Sequence, residues 1–298
     1  MDSAARGDQT SNVIEVDGLS YAYPGAASPA VNGVGFQVVR GEIFGLLGPS
    51  GAGKSTIQRI LTRQIRRLDT GAVSVFGVDI NAWSHRLYER VGVSFELPNH
   101  YPKLTALENL QFFASFYAGK TRAPLELLAL VGLEGAADRR VETFSKGMQV
   151  RLNFVRAILH DPELLFLDEP TAGLDPTTAA HLRDVISGLR RQGKTIVLTT
   201  HNMHDADALC DRVGFIARGE MVMLDTPQNL KMKYGARQVE VTACDGEAMA
   251  SRTFPLARLG ENTEFLDFIK RKDIQTLHSQ EASLDKVFQI VTGETLVR

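Results

Sequence analysis

Gly48, Pro49, Ser50, Gly51, Ala52, Gly53, Lys54 and Ser55 fit the pattern of two glycines enclosing four residues, followed by Lys and Ser/Thr. Glycines let successive backbone N–H groups turn toward an anion with no Cβ in the way, and a helix N-terminus behind them adds a favourable dipole. The chemistry this predicts is the cradling of a nucleoside triphosphate. Lys54 is expected to reach the β and γ phosphates and Ser55 to ligate Mg²⁺, with Thr56 beside them. The setting agrees, since residues 42–47 read as a short buried strand and residues 55–62 as the helix that follows.

Two later strand ends offer partners for that cradle. The apolar run 164–167 ends in Asp168 and Glu169. Asp168 is expected to hold Mg²⁺ directly or indirectly, and Glu169 to act on the attacking water as general base or orienting group. Adjacent residues on a strand face opposite ways, which would divide these roles. A second apolar run, 195–199, leads to Thr200 and His201, and His201 is placed to donate a hydrogen bond to the γ-phosphate.

The elements that must position these groups fit an ordinary globular chain. Its 298 residues, 44% of them hydrophobic, suffice for one large domain and a small one. With 33 basic against 35 acidic residues the net charge is −2, which argues against binding along a nucleic-acid backbone. Arg63, Arg66 and Arg67 read as a solvated helix face. No apolar run approaches the roughly 18 residues of a membrane span, and the opening Met-Asp-Ser is unlike a secretion signal. The expectation is a protein neither secreted nor membrane-spanning by itself. Cys210 and Cys244 lack a metal-binding spacing and read as reduced thiols of a cytosolic protein.

Residues 1–12 are small and polar and read as a disordered tail. Strands are expected at 13–16, 35–39, 72–76 and 91–95, with a turn-rich segment at 23–29. From about 97 to 159 the pattern turns helical, with a capping box at Thr105 and Glu108 and apolar residues at Leu107, Leu110, Phe113 and Tyr117. Continuous apolar strands then imply a parallel sheet buried on both faces, and residues 214–224 read as a hairpin turning at Arg218 and Gly219. Beyond 235 the pattern thins to two strand-like runs and two amphipathic helices, read as a small α+β domain over 236–298.

In this order the motifs resemble the ATP-binding subunit of ATP-binding-cassette (ABC) transporters, over residues 13–235. Tyr23 matches the aromatic that stacks on adenine. Phe-Ser-Lys-Gly-Met-Gln at 144–149 matches the signature motif, with Ser145, Lys146, Gly147 and Met148 expected at nucleotide, and Gly-Leu-Asp-Pro at 173–176 the loop that meets a partner subunit. Asp175 lies in that loop, and His201 matches the switch histidine. The resemblance implies an α/β P-loop NTPase with an ABC-type core sheet, an antiparallel β subdomain and a helical insert. It further implies a head-to-tail dimer, with a second copy or a homologous ATPase, around two Mg-ATP under a separate integral-membrane permease, on the cytoplasmic face of the membrane.

Two positions depart from the family pattern. Glu96 stands where the family usually has Gln, and an ionised carboxylate can touch Mg²⁺ or water but cannot donate a hydrogen bond. Retained function with altered coupling is expected; a neutral exchange and an impaired site are the alternatives. Lys146 and Met148 resemble the signature of the drug and antibiotic export branch, as do the segments 99–110 and 282–293. The first of these lies, in the family, near a groove that receives a permease helix, and Phe112, Phe113, Phe116 and Tyr117 are expected mostly in the core with one or two lining it. The resulting reading is the motor of a drug, antibiotic or lipid exporter, with an importer ATPase or a soluble nucleotide sensor as rivals.

Overall fold

The computed structural model describes residues 12–235, 238–245, 248–279 and 282–293. The tail read at 1–12 lies outside them except for Asn12, which opens the first strand. By spatial proximity the chain divides into two units, one through Leu224 and one from Asp225.

The first unit opens with β1 (Asn12–Tyr21), β2 (Val31–Val39) and β3 (Ile43–Leu47). After α1 (Lys54–Leu61) come β4 (Thr70–Val75) and β5 (Val78–Asp79), which join the first two strands in an antiparallel sheet ordered β2-β1-β4-β5. Period-two burial along β2 explains why one face of this sheet turns inward. The chain then forms β6 (Val91–Ser94), α2 (Ala106–Ala114), α3 (Pro124–Leu130) and α4 (Lys146–Ala157). It returns through β7 (Leu164–Asp168), α5 (Pro176–Arg191), β8 (Thr195–Thr200), α6 (Met203–Leu209), β9 (Arg212–Ala217) and β10 (Glu220–Asp225).

The second sheet runs β10-β9-β3-β8-β7-β6, with β9, β3, β8, β7 and β6 parallel to their neighbours. Strands β3, β7 and β8 are buried along their whole length, as continuous apolar runs covered on both faces must be. The two sheets share a core in which Phe36 of β2 stacks on Phe44 of β3 at 5.1 Å. The hairpin between β9 and β10 turns through left-handed Arg218 and Gly219, as expected.

Two local expectations are corrected. Helix α1 ends at Leu61 and Arg63 is left-handed (φ 57°), so Arg63, Arg66 and Arg67 follow the helix rather than forming one of its faces. Phe112, Phe113, Phe116 and Tyr117 are not core residues either. Helix α2 turns Ala106, Asn109 and Leu110 inward and ends at Ala114, leaving Phe112 and Phe116 exposed and the other two half-buried. The phenylalanines pack edge-to-face on one another, and Phe112 on Tyr101.

The second unit consists of α7 (Pro227–Tyr234), β11 (Gln238–Asp245), β12 (Ala248–Pro255), α8 (Thr263–Arg271), β13 (Asp273–Ser279) and α9 (Leu284–Thr292). Its antiparallel sheet, β12-β11-β13, has its own core of Val239, Val241, Ala243, Phe254, Phe265 and Phe268. Helix α7 packs on α9, which is why this unit begins at Asp225.

Helix α4 approaches β6 more closely than any side chain allows. A Cβ on Gly92 would lie 2.0 Å from the carbonyl oxygen of Ala157 at the end of α4. Gly92→Ala is therefore expected to destabilise the protein by at least the upper part of the ~1–3 kcal/mol typical of overpacking, because backbone cannot yield as a rotamer can. A urea midpoint equal to that of the parent would refute this packing.

Candidate active site

Parallel pairing aligns the carboxyl ends of β3, β8 and β7, and the predicted groups leave the sheet at those ends, where α/β sheets bind ligands. The loop after β3 enters α1 through Gly53, whose φ is 110° and where a Cβ would sit 2.6 Å from the Ala30 carbonyl oxygen. Glycine is required there on both counts. A cavity of about 330 Å³ is lined by Tyr23, Ser50, Gly51, Gly53, Lys54, Ser55, Thr56, Glu96, Asp168, Glu169 and His201. Residues distant in sequence are thus gathered at one place.

Lys54 is buried, and its Nζ donates to the carbonyl oxygens of Gly48 at 2.6 Å and Pro49 at 2.9 Å. Burial pulls its pKa below the ordinary lysine value, while Glu169, Asp168 and Glu96 push the other way. Ala52 is buried beneath the loop. Tyr23 is 38% exposed, and its hydroxyl lies 3.2 Å from Thr56 Oγ1, either group being able to donate. Its ring meets Tyr21 edge-on at 5.1 Å.

Asp168 is the last residue of β7 and is buried, and the Thr199 hydroxyl donates to its Oδ1. Burial raises the Asp168 pKa; the Thr199 bond opposes this, Glu169 and Glu96 reinforce it, and Lys54 opposes it. Glu169 does not continue the strand, contrary to the alternation expected. Its backbone is left-handed (φ 47°), so a turn rather than strand pleating separates the two carboxylates. The Glu169 carboxylate accepts from Thr200 Oγ1 at 2.9 Å, from the His201 backbone N–H at 2.9 Å and from His201 Nδ1 at 2.6 Å. An Nδ1–H donated to a carboxylate leaves Nε2 of a neutral ring as an acceptor. To donate to a phosphate, His201 must be imidazolium or let Glu169 go.

Three carboxylates, Glu96, Asp168 and Glu169, face one Lys54 in this cavity, and Ser55 adds a hydroxyl. These hard oxygen donors suit Mg²⁺. Among the described residues no group of three or more His, Cys, Asp or Glu is spaced to hold a metal alone. A cation here would need phosphate oxygens or water to complete its shell, as Mg²⁺ at nucleotide sites does.

The signature residues stand apart from this cavity. Ser145 caps α4 and accepts from the Met148 N–H at 3.2 Å, while Gly147 packs near Leu174 and Lys146 beside Gly173. Asp175 caps α5, accepting from the N–H groups of Thr177 at 3.1 Å and Thr178 at 3.0 Å and from the Thr178 hydroxyl at 2.6 Å. Those bonds hold its carboxyl below the usual range.

Sequence reasoning missed the residues that hold the site. Asn153 of α4 donates to Ser94 Oγ at 3.0 Å and to the Phe95 carbonyl at 2.7 Å, and receives 2.7 Å support from Arg156. Arg156 also donates to the Asn99 carbonyl, and His100 Nε2 lies 3.0 Å from the Gln149 carbonyl. Helix α4 therefore grips the loop that carries Glu96. Asp205, buried in α6, pairs with Arg183 of α5 at 2.7 Å and accepts from Thr171 just beyond Glu169. The one available sequence signal was Thr199-Thr200, hydroxyls closing an otherwise apolar strand before His201. Beside the grip lies a larger cavity of about 540 Å³, lined among others by Phe95, His100, Tyr101, Phe113, Tyr117 and Arg156. Burial lowers the His100 pKa to about 4, so that ring is neutral at physiological pH.

Glu169→Gln preserves size and every acceptor oxygen but one, and is expected to keep nucleotide affinity while slowing hydrolysis by at least ~10²-fold, the usual loss on removing a general base. Parent turnover in this variant would assign the water to another group. Lys54→Ala is expected to abolish most binding of a fluorescent ATP analogue, and unchanged affinity would refute the cradle.

Known proteins bear on the assignment. The ABC transporter family profile matches residues 31–172, and that of the fluoroquinolone efflux ABC transporter C-terminal domain matches residues 237–281. The chain is 52% identical over 285 residues to the "Fluoroquinolones export ATP-binding protein Rv2688c" of Mycobacterium tuberculosis H37Rv, covering 95% of this chain and 94% of that protein. It is 32% identical over 314 residues to the "Linearmycin resistance ATP-binding protein LnrL" of Bacillus subtilis 168, covering 95% and 99%. A solved dimer of the MJ0796 cassette, in a post-hydrolysis state with ADP and Pi, superposes with a TM-score of 0.65 at 26% identity, over 72% of this chain and 98% of that one. The chain is an ATPase and belongs to the ATP-binding subunits of ABC transporters.

Proposed function

We propose that this ATPase drives a separate membrane permease that exports drug-like molecules of the fluoroquinolone class. The observation that carries the reading is the 52% identity to a fluoroquinolone export subunit across nearly the whole of both chains, together with the efflux-type C-terminal domain match at residues 237–281. Among the described residues no helix is long and apolar enough to cross a membrane, and this reading assigns the translocation path to a partner permease. The 540 Å³ cavity, with exposed aromatics beside it, supports docking of a permease helix there, at the inner membrane face.

The proposed cycle uses the geometry already described. ATP enters with adenine against Tyr23 and its phosphates against the N–H groups of residues 48–55, and Lys54 exchanges its bonds to Gly48 and Pro49 for phosphate oxygens. Ser55, Asp168 and Glu96 would hold Mg²⁺, which supplies charge neutralisation on the phosphates. Thr200 and His201 orient the Glu169 carboxylate to take a proton from water as it attacks the γ-phosphorus and the bond to the bridging oxygen breaks. Ser145, Lys146, Gly147 and Met148 do not line the cavity, and Ser145 caps a helix whose N-terminus suits an anion. These residues are therefore assigned to the ATP of a second subunit, beside the loop carrying Asp175.

Light scattering on the Glu169→Gln protein is expected to give a monomer that becomes a dimer with ATP and Mg²⁺, and a monomer throughout when Ser145→Arg is added. A nucleotide-bound monomer would remove the shared-site arrangement. In a strain lacking the gene and its encoded permease, both restored together should lower fluoroquinolone accumulation, and the Glu169→Gln form should not. Restored resistance to linearmycin, with unchanged fluoroquinolone accumulation, would move the cargo away from fluoroquinolones.

A further inference from the structure

Gln58 is a polar residue in the wrong company. It lies on the inward face of α1, 2% exposed, and its Nε2 has no hydrogen-bond partner. Its Oε1 sits 3.2 Å from Oγ1 of Thr199, which is also fully buried. It also lines a recess of about 250 Å³ with Ser55, Glu96 and Asp168.

Thr199 has one hydroxyl proton and three acceptors within reach: Asp168 Oδ1, Gln58 Oε1 at 3.2 Å and the Leu167 carbonyl at 3.5 Å. A bond to a carboxylate is the shorter and stronger kind, so the proton goes to Asp168. With the carbonyl end of Gln58 toward Thr199, both ends of the amide would then be unsatisfied in a buried place, an expensive arrangement. The opposite orientation of the amide lessens the conflict by pairing one of its two ends. Nε2 then donates to the Thr199 lone pair and Thr199 donates to Asp168, giving a one-directional chain whose members polarise one another.

We propose that Gln58 is a positioning residue for Asp168, acting through Thr199 to aim the carboxylate at the Mg²⁺ of the bound nucleotide. The inference rests on the ATPase reading and on Asp168 as the magnesium-facing carboxylate. Glu96 and Asp168 border the same recess as Gln58.

The test titrates Mg²⁺ into the full chain with a fluorescent ATP analogue and reads the concentration giving half-maximal tight binding, beside thermal midpoint and magnesium-free nucleotide affinity. Gln58→Leu is expected to raise the half-maximal Mg²⁺ concentration about five-fold, the equivalent of one ordinary hydrogen bond, with magnesium-free affinity unchanged. Thr199→Val is expected to shift it at least as far, and adding Gln58→Leu to that variant should add nothing, since the chain is already cut. Gln58→Met provides the same test with a more adaptable side chain should leucine disturb packing. A parent-like Mg²⁺ dependence in Gln58→Leu or Gln58→Met, with or without a lowered thermal midpoint, would make Gln58 a core filler and overturn the proposal. Additive shifts in the double variant would overturn it too. Failure of the site reading is separate: it would appear as Lys54→Ala retaining nucleotide affinity, whatever Gln58 does.

Discussion

Parallel hydrogen bonding among β3, β8 and β7 is the constraint on which the site depends. Three strands that run side by side in the same direction must end side by side, so whatever follows each of them meets. The loop after β3 brings Lys54, β7 brings Asp168, and β8 brings Thr199, Thr200 and His201. Complete burial of these strands makes their register costly to shift, because a one-residue slip would carry Thr199 away from Asp168 and Thr200 away from Glu169. The chemistry is thus fixed by hydrophobic packing several residues away from it.

Helix α4 joins this rigid part to the rest. Its first turn carries the signature residues, its middle grips the loop around Ser94 and Phe95 through Asn153, and its last residue presses on Gly92. One rigid body therefore touches the Glu96 loop and presents Ser145. A displacement at the aromatic cavity that moves Arg156 must also strain Asn153, and through it the segment that leads to Glu96. These contacts form one continuous physical link between the cavity and the loop that carries Glu96.

Much of this was legible in the chain. Phosphate binding demands particular residues at fixed spacing, so Gly48 to Ser55 declared themselves, and apolar runs ending in acids or histidine marked the strand ends. Three kinds of feature were not legible. The left-handed turn at Glu169 is imposed by its bonds to β8, since Glu has no local preference for that conformation. Phe112 and Phe116 are spaced as on one helix face, but periodicity cannot distinguish an apolar face turned to the core from one turned outward. The work of Gln58, Asn153 and Asp205 arises from partners distant in sequence, and a lone buried amide or acid carries no local sign of them.

The left-handed backbone at Glu169 sets local strain against hydrogen bonding at a single position. A non-glycine residue held there costs about 1–2 kcal/mol, and glycine would relieve it. Glycine would also forfeit the bonds that the carboxylate accepts from Thr200 and His201, so an exchange there trades relieved strain for lost hydrogen bonds. Thr200 and His201 thus hold the chain at Glu169 in a shape it would otherwise leave, and the three residues stand or fall as one hydrogen-bonded unit.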